Sequence, residues 1–342
     1  MNLSYVLLNL GGHDITTAEF SLALLVIFST IMLLGSRIDS FRAYADVGAD
    51  VSHGLRREQA LGSSNSLESI IQEADTRALN PLDFRPFTVI SVDKVSYNTA
   101  LVRFKIPGDR DLGLAIGRHV SVRAEINGIK VIRPYTPTSR PDTKGHFDLL
   151  IKKYTDGKMS SHIHNLCVGD TLEFRGPVGR FKYTMNQYKK MGLIAAGSGL
   201  TPCLQVIRSV LEGPSGDDTK FVLFFQNRTE QDILLKDELQ MLAKTYSSRL
   251  KVFFFLSSPT NPDWGIDFAR GKGFKSFLAS SPRTGAGKIP EVRGAINSIA
   301  LQEAMSPSEC ELIGMCGPSG FNDAMKNLLT NLGHTDNSLY VW

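Results

Sequence analysis

Arg133-Pro134-Tyr135-Thr136-Pro137-Thr138-Ser139 sets a cation, an aromatic ring with a hydroxyl, and several short hydroxyls into one run. Pro134 and Pro137 hold φ at about −65° and bias the residues before them, Arg133 and Thr136, toward extended geometry. Alternation in such a run sends Arg133 and Tyr135 to one face and Pro134 and Thr136 to the other. Arg133 can fork onto a phosphate, and Tyr135 offers a flat ring for stacking. The pairing suits a ligand with a pyrophosphate at one end and a planar heterocycle at the other. The spacing alone also fits an edge strand or turn with an exposed arginine.

Three further stretches could meet a nucleotide. Gly157-Lys158-Met159-Ser160 precedes a short helical pattern from Ser161 to Leu166, and a glycine followed by a serine near a helix start exposes free backbone N–H groups. Most such sequences are ordinary helix caps. Gly197-Ser198-Gly199-Leu200-Thr201-Pro202 follows the buried-strand run Leu193 to Ala196, with Thr201 as a plausible N-cap and Pro202 as first helical residue. Its glycines let the chain turn tightly and let backbone approach a dinucleotide. Asp232, in Asn227-Arg228-Thr229-Glu230-Gln231-Asp232, could accept from ribose hydroxyls and repel an extra phosphate, or merely decorate a helix start. Arg228 beside it could favour the extra phosphate and keeps a phosphorylated ribose open. Cys316-Gly317-Pro318 ends a strand, where a cysteine is ordinarily a small buried hydrophobe.

The elements needed to position these residues fall into two kinds. Thr88 to Val92, Ala100 to Ile106, His119 to Arg123 and Phe147 to Lys152 are β-rich and separated by turn residues, which predicts an antiparallel β-barrel. After Tyr188 strand and helix periods alternate. Phe221 to Phe225, Lys251 to Leu256 and Leu312 to Cys316 continue a βαβ pattern, predicting a Rossmann-like parallel sheet with ligand at its carboxyl edge. Leu204, Ile207 and Leu211 form a helical stripe for its core.

The chain of 342 residues, 42% hydrophobic and 21% charged, is long enough for two domains plus an appendage. Residues 1–80 hold 5 Lys+Arg and 9 Asp+Glu, whereas residues 81–342 hold 33 and 25. That basic part suits acidic partners or phosphates, but no basic run points to nucleic acid. Four cysteines without a C-x-x-C pair support neither a metal site nor an iron–sulfur cluster, and fit a reducing compartment. Phe20 to Gly35 is uncharged and mostly apolar; with its flanks it predicts a membrane anchor at about 18–35. Arg37 and Arg42 follow it, while Asp14 and Glu19 precede it, which places the rest of the chain in the cytosol. A buried core helix and a cleaved signal are the rivals. The predicted organisation is an N-terminal region with the anchor (1–36), a linker (37–80), a barrel domain (81–185) and an α/β domain (186–342).

The Arg133 run resembles the Arg-x-Tyr-(Ser/Thr) flavin signature of the ferredoxin-reductase superfamily, and its full Arg-Pro-Tyr-Thr-Pro form looks like the NADH–cytochrome b5 reductase family. Gly176-Pro177-Val178-Gly179, the 197–202 loop, Asn-x-Thr-Glu-x-Asp-Ile-Leu at 227–234 and Cys316-Gly317-Pro318 follow in the family's order. The resemblance spans roughly residues 81–342. It implies an FAD- and NADH-binding reductase in which hydride passes to the flavin and single electrons then leave for a haem protein.

By the same resemblance, Arg133 neutralises the pyrophosphate, Pro134, Tyr135 and Thr136 hold the isoalloxazine, and Leu150, Lys152 and Tyr154 are further flavin-lining positions. Gly157, Lys158, Met159 and Ser160 take phosphate. Gly197, Ser198, Gly199, Thr201, Pro202, Asp232, Gly317 and Pro318 serve the nicotinamide nucleotide. Thr136 and Cys316 stand at the reacting rings. The implied partner is cytochrome b5 or a similar acidic haem protein, at the cytosolic face of the endoplasmic reticulum or the mitochondrial outer membrane. A reductase for another acceptor and a membrane-tethered flavoprotein redox sensor are the alternatives. Ser319, Gly320 and Phe321 depart from the family's usual prolines and methionine. Trp342 stands where the family usually has phenylalanine, either to cover the flavin or only to pack.

Overall fold

The computed structural model describes residues 77–108, 110–265 and 289–342. The anchor expected at 18–35 and nearly all of the expected linker lie outside the described residues. Among the described residues, no helix is long and apolar enough to cross a membrane.

The first sheet contains β1 (Arg85–Ser96), β2 (Thr99–Lys105), β3 (His119–Ile126), β4 (Ile129–Tyr135), β5 (His146–Lys152) and β6 (Thr171–Val178). Its order is β4-β3-β6-β1-β2-β5, and every pairing is antiparallel. The ladder does not close into the expected barrel, because β4 and β5 are its two edges. Helix α1 (Lys158–His164) packs on β3, β4 and β5. Pro134 has no N–H to offer a further strand, which suits an edge position. The β3–β4 turn uses Asn127 and Gly128, both at positive φ (52° and 74°), the geometry of a tight hairpin. That turn fixes the register, so Arg133 stands opposite Val122 and Tyr135 opposite Val120. The core inside this sheet centres on Phe87, Phe104, Phe147 and Phe174, whose neighbouring rings lie 4.8–5.4 Å apart.

The second sheet is built from β7 (Lys190–Ala196), β8 (Lys220–Asn227), β9 (Leu250–Leu256), β10 (Glu291–Arg293), β11 (Leu312–Cys316) and β12 (Leu339–Val341). Its order is β10-β9-β8-β7-β11-β12, all parallel. Helices α2 (Leu200–Leu211), α3 (Lys236–Thr245), α4 (Ser298–Ala304) and α5 (Ser319–Asn331) cover it. Strands buried on both faces read as continuous apolar runs, which is why Phe221 to Phe225 shows no alternation. Phe221, Leu223 and Phe225 meet Leu204, Ile207 and Leu211 on one face, as the helical stripe predicts. Val222 and Phe224 meet Leu301, Met325 and Leu329 on the other. The chain runs outward from β7 in one direction to β8 and in the other to β11. The carboxyl ends of β7 and β11 therefore frame the crevice where such sheets take ligands.

Two local expectations are corrected. Helix α1 begins at Lys158 rather than Ser161, with Gly157 as its N-cap. Thr201 is not an N-cap and Pro202 is not the first helical residue, because a 3-10 turn at Gly197–Gly199 starts the helical path earlier and Gly199 caps α2. The Thr201 hydroxyl instead donates to the Ser198 carbonyl at 3.3 Å.

The phenylalanine cluster should dominate the stability of the first sheet. Phe174→Ala is expected to cost about 3–5 kcal/mol in chemical denaturation. A loss below about 1 kcal/mol would show that the cluster is not the core of this unit.

Candidate active site

A cleft of about 950 Å³ lies where edge strand β4 faces the carboxyl ends of β7 and β11. Arg133, Pro134, Tyr135, Thr136, Leu150, Lys152, Tyr154, Gly157, Lys158, Met159 and Ser160 line it from the first sheet and the turn after β5. Ser198, Gly199, Thr201, Pro202, Cys316, Gly317 and Pro318 line it from the second. Gly197 and Asp232, also expected here, are not among the lining residues. His119, Asp156 and the Ile129–Ile132 stretch of β4 are, although no motif marked them.

The first-sheet wall has the chemistry of an anion and ring site. Arg133 is exposed, its Nη1 donates to the Ile132 carbonyl at 2.7 Å, and among the described residues no carboxylate pairs with it. Its remaining N–H groups are available to an anion. Tyr135 is half-buried, and burial pushes its phenol up to about 12, so it stays neutral. Thr136 is buried beside it. At the start of α1 no side chain caps the first amides, which leaves them for an anion. The Ser160 hydroxyl is already used, donating to the Gly157 carbonyl at 3.1 Å and accepting from the Tyr154 N–H at 3.3 Å. A phosphate here would meet the backbone amides and the exposed Lys158 ammonium rather than the Ser160 hydroxyl. A Cβ on Gly157 would come within 2.2 Å of Ser160 Oγ, so a larger residue there would have to displace that hydroxyl from its present bonds.

The second wall is set by backbone proximity. A Cβ on Gly199 would meet the Cys316 carbonyl oxygen at 2.1 Å, so the 197–202 loop lies directly against the end of β11. Burial pushes the Cys316 thiol up to about 11, keeping it neutral rather than a nucleophilic thiolate. Burial, with Arg118 close by, lowers His119 to about 4, so its imidazole is neutral too. The cleft thus offers several cations (Lys130, Arg133, Lys158), one carboxylate (Asp156), neutral polar groups and close-fitting backbone. Those features fit FAD along the first wall and a nicotinamide nucleotide along the second.

Side chains bridge the two walls. Lys152 Nζ lies 3.0 Å from Asp232 Oδ1, and Tyr97 donates its hydroxyl to the same oxygen at 2.9 Å. Asp232 Oδ2 accepts from the Thr229 backbone N–H at 3.2 Å and from its hydroxyl at 2.9 Å. Burial alone would raise the Asp232 carboxyl; the bonds from Lys152, Thr229 and Tyr97 outweigh it and hold it at about 2. Asp232 is therefore a buried clasp between the sheets in this geometry, with both oxygens engaged. Tyr154 and Ser198 share a 2.6 Å hydroxyl contact across the cleft. Glu230 is held likewise. Burial would raise it, but the Thr260 and Asn261 amides, at 3.0 and 2.8 Å, bring it down to about 2.

The open antiparallel sheet and the doubly wound parallel sheet, joined at this cleft, define a flavin- and pyridine-nucleotide-dependent oxidoreductase. Residues 86–183 match the oxidoreductase FAD-binding domain family and residues 193–270 the oxidoreductase NAD-binding domain family. NADH-cytochrome b5 reductase 1 of Dictyostelium discoideum is 38% identical over 267 residues, covering 78% of this chain and 84% of that protein. The protein of the same name from Candida albicans is 38% identical over 260 residues, covering 75% and 79%. Among solved structures, the cytochrome b5 reductase domain of Ulva prolifera nitrate reductase is 30% identical with a TM-score of 0.66, covering 78% of this chain and all of that one. The chain belongs to the NADH–cytochrome b5 reductase family, and is an FAD- and NADH-dependent oxidoreductase.

The depressed Asp232 carboxyl makes the clasp dependent on acid. A carboxylate whose folded pKa is about 2, against an ordinary 3.8, stabilises the fold fully above about pH 4 and loses that contribution as pH falls toward 2. The stability difference between the native chain and Asp232→Asn, from urea denaturation, should stay constant between about pH 7 and 5 and narrow below about pH 4. An unchanged difference at about pH 3 would contradict the clasp.

Proposed function

We propose that this chain is a membrane-anchored reductase that takes electrons from NADH through FAD to cytochrome b5 or a similar acidic haem protein. The observation that carries this reading is the cleft itself, which sets Arg133, Tyr135 and Thr136 opposite Gly199 and Cys316. The names of the relatives support cytochrome b5 as the acceptor. Bound FAD supplies hydride acceptance from NADH and onward release of single electrons; the protein supplies binding, orientation and electrostatics.

Arg133 neutralises the pyrophosphate, and the amides at the start of α1, from Lys158 to Ser160, bind phosphate. Tyr135 and Thr136 hold the isoalloxazine, with Pro134, Leu150, Lys152 and Tyr154 alongside. The 197–202 loop brings its backbone to the nicotinamide nucleotide, and Gly197, at φ 53°, supplies the turn that starts it. Cys316, as a neutral thiol, packs beside the nicotinamide, with Gly317 and Pro318 shaping the floor. No residue is required to move a proton. The apolar segment at 18–35 anchors the chain, which then sits on the cytosolic face of the endoplasmic reticulum or mitochondrial outer membrane.

Flavin retention should depend on Arg133. Arg133→Ala is expected to purify folded but largely colourless, because a bound phosphate charge loses its partner. Full flavin occupancy in that variant would remove Arg133 from the site.

Asp232 enters this reading as the acid that disfavours an additional phosphate, and its pair with Lys152 must open for it to meet a ribose. Asp232→Thr should then raise the NADPH/NADH ratio of kcat/KM. An unchanged ratio would leave Asp232 with the clasp alone.

The partner should be steered by charge. Lys94 and Lys153 are exposed beside the β1–β2 hairpin, where the Lys153 amide donates to the Asn98 carbonyl at 2.7 Å. Arg180 and Lys182 are exposed on the segment after β6. Attraction over a Debye length of about 8–10 Å is screened by salt. Rising ionic strength should therefore slow electron transfer to cytochrome b5 and affect NADH–ferricyanide turnover much less. Equal salt sensitivity of both reactions would remove the charged docking face.

A further inference from the structure

We infer that Trp342 is a positioning residue: it fastens the first sheet to strand β11 and so sets how closely the flavin wall approaches the nicotinamide wall. The inference rests on the NADH reductase reading above and extends it to a residue outside the motifs. Trp342 follows β12, and its backbone N–H donates to the Met315 carbonyl at 3.1 Å, immediately before Cys316. Its ring lies on Gly314, where a Cβ would come within 2.4 Å of the indole. The indole Nε1 crosses to the first sheet's side and donates to the Gly117 carbonyl at 2.9 Å. Its ring also packs on Phe181, centroid to centroid 5.2 Å.

The turn it grips is held from a second direction. The Gly117 N–H donates to Gln205 Oε1 at 2.7 Å, and Gln205 Nε2 donates to the Arg118 carbonyl at 3.1 Å. Gln205 is fully buried on α2, just beyond the loop that lies against Cys316. Gly117 sits at φ 73°, and a Cβ there would be 2.0 Å from the Phe181 ring, so the turn fits this seam only as glycine. Both backbone groups of Gly117 are therefore bonded across the seam, one to each nicotinamide-side element.

The core of the second sheet reaches across to Leu150 of β5 and Phe181, and Trp342 packs on the margin of that core. Trp342→Phe removes the N–H while keeping an aromatic ring at the margin of that core. Hydride transfer is far more sensitive than folding to such a change, since about 1 Å of misplacement costs about 100-fold in rate. A ring that instead serves to cover the isoalloxazine would keep that role in Trp342→Phe. A ring that fastens the seam through its N–H would not.

The test uses the full chain loaded with FAD, comparing the native protein with Trp342→Phe and Gln205→Met. Four quantities are measured: FAD content, the limiting rate of flavin bleaching by saturating NADH without oxygen, ferricyanide reoxidation of dithionite-reduced protein, and hydrogen exchange across residues 114–119. Both variants should keep FAD and reoxidise within about twofold of the native rate. Bleaching should slow by about tenfold or more, and exchange at 114–119 should rise by a similar factor. Unchanged bleaching with unchanged exchange would overturn the inference, as would loss of FAD or reoxidation in parallel with bleaching. Failure of NADH to bleach the native protein would instead defeat the reductase reading, while exchange would still report on the seam.

Discussion

The pairing of Lys152 with Asp232 is the interaction on which the cleft most depends. Apolar packing also crosses the seam, since the core of the second sheet takes in Leu150 of β5 and Phe181, but the Lys152–Asp232 pair adds a buried ionic contact between the two walls. Lys152 belongs to β5 and Asp232 to the turn after β8, and their side chains are only 16% and 10% exposed. Removing one partner of such a buried pair leaves an uncompensated charge, at a cost of about 3–5 kcal/mol. Tyr97 and Thr229 complete the hydrogen bonding of the carboxylate, which lets it stay ionised in the seam.

Given that seam, the chemistry left to the protein is mainly placement. Cys316 and His119 are both held neutral by burial, and neither forms an acid–base pair. Arg133, Lys130 and Lys158 are exposed cations of the first wall, and the backbone near Gly199 and Cys316 is too close to admit even a methyl group. This is the arrangement expected where a bound cofactor carries the reaction and the chain supplies orientation.

Much of this was legible in the sequence, because local rules govern it. Alternation and turn residues located β1, β2, β3 and β5, whereas the Arg133 run was legible only as an extended stretch that fits an edge strand or a turn, and β6 was not marked. Unbroken apolar runs located β7, β8, β9 and β11, but not the three-residue strands β10 and β12. The open ladder was not legible, since strand closure depends on pairings between distant segments. The start of α2 was misplaced because Gly197–Gly199 already turns helically, so a favourable cap residue at Thr201 was overridden. The partners of Asp232 lie 80 and 135 residues upstream, beyond any periodic signal. Trp342 was marked as an aromatic with two readings, and only the fold brings Gly117, 225 residues away, to its indole.

The central claim is that one cleft receives FAD on its first wall and the nicotinamide of NADH on its second, for delivery of single electrons outward. It is tested most directly by a single turnover without oxygen: one equivalent of NADH is added to the FAD-loaded protein, followed by oxidised cytochrome b5. The account predicts full bleaching of the flavin and then reduction of about two cytochromes per FAD. A flavin that stays oxidised in the presence of NADH, although fully bound, would contradict it.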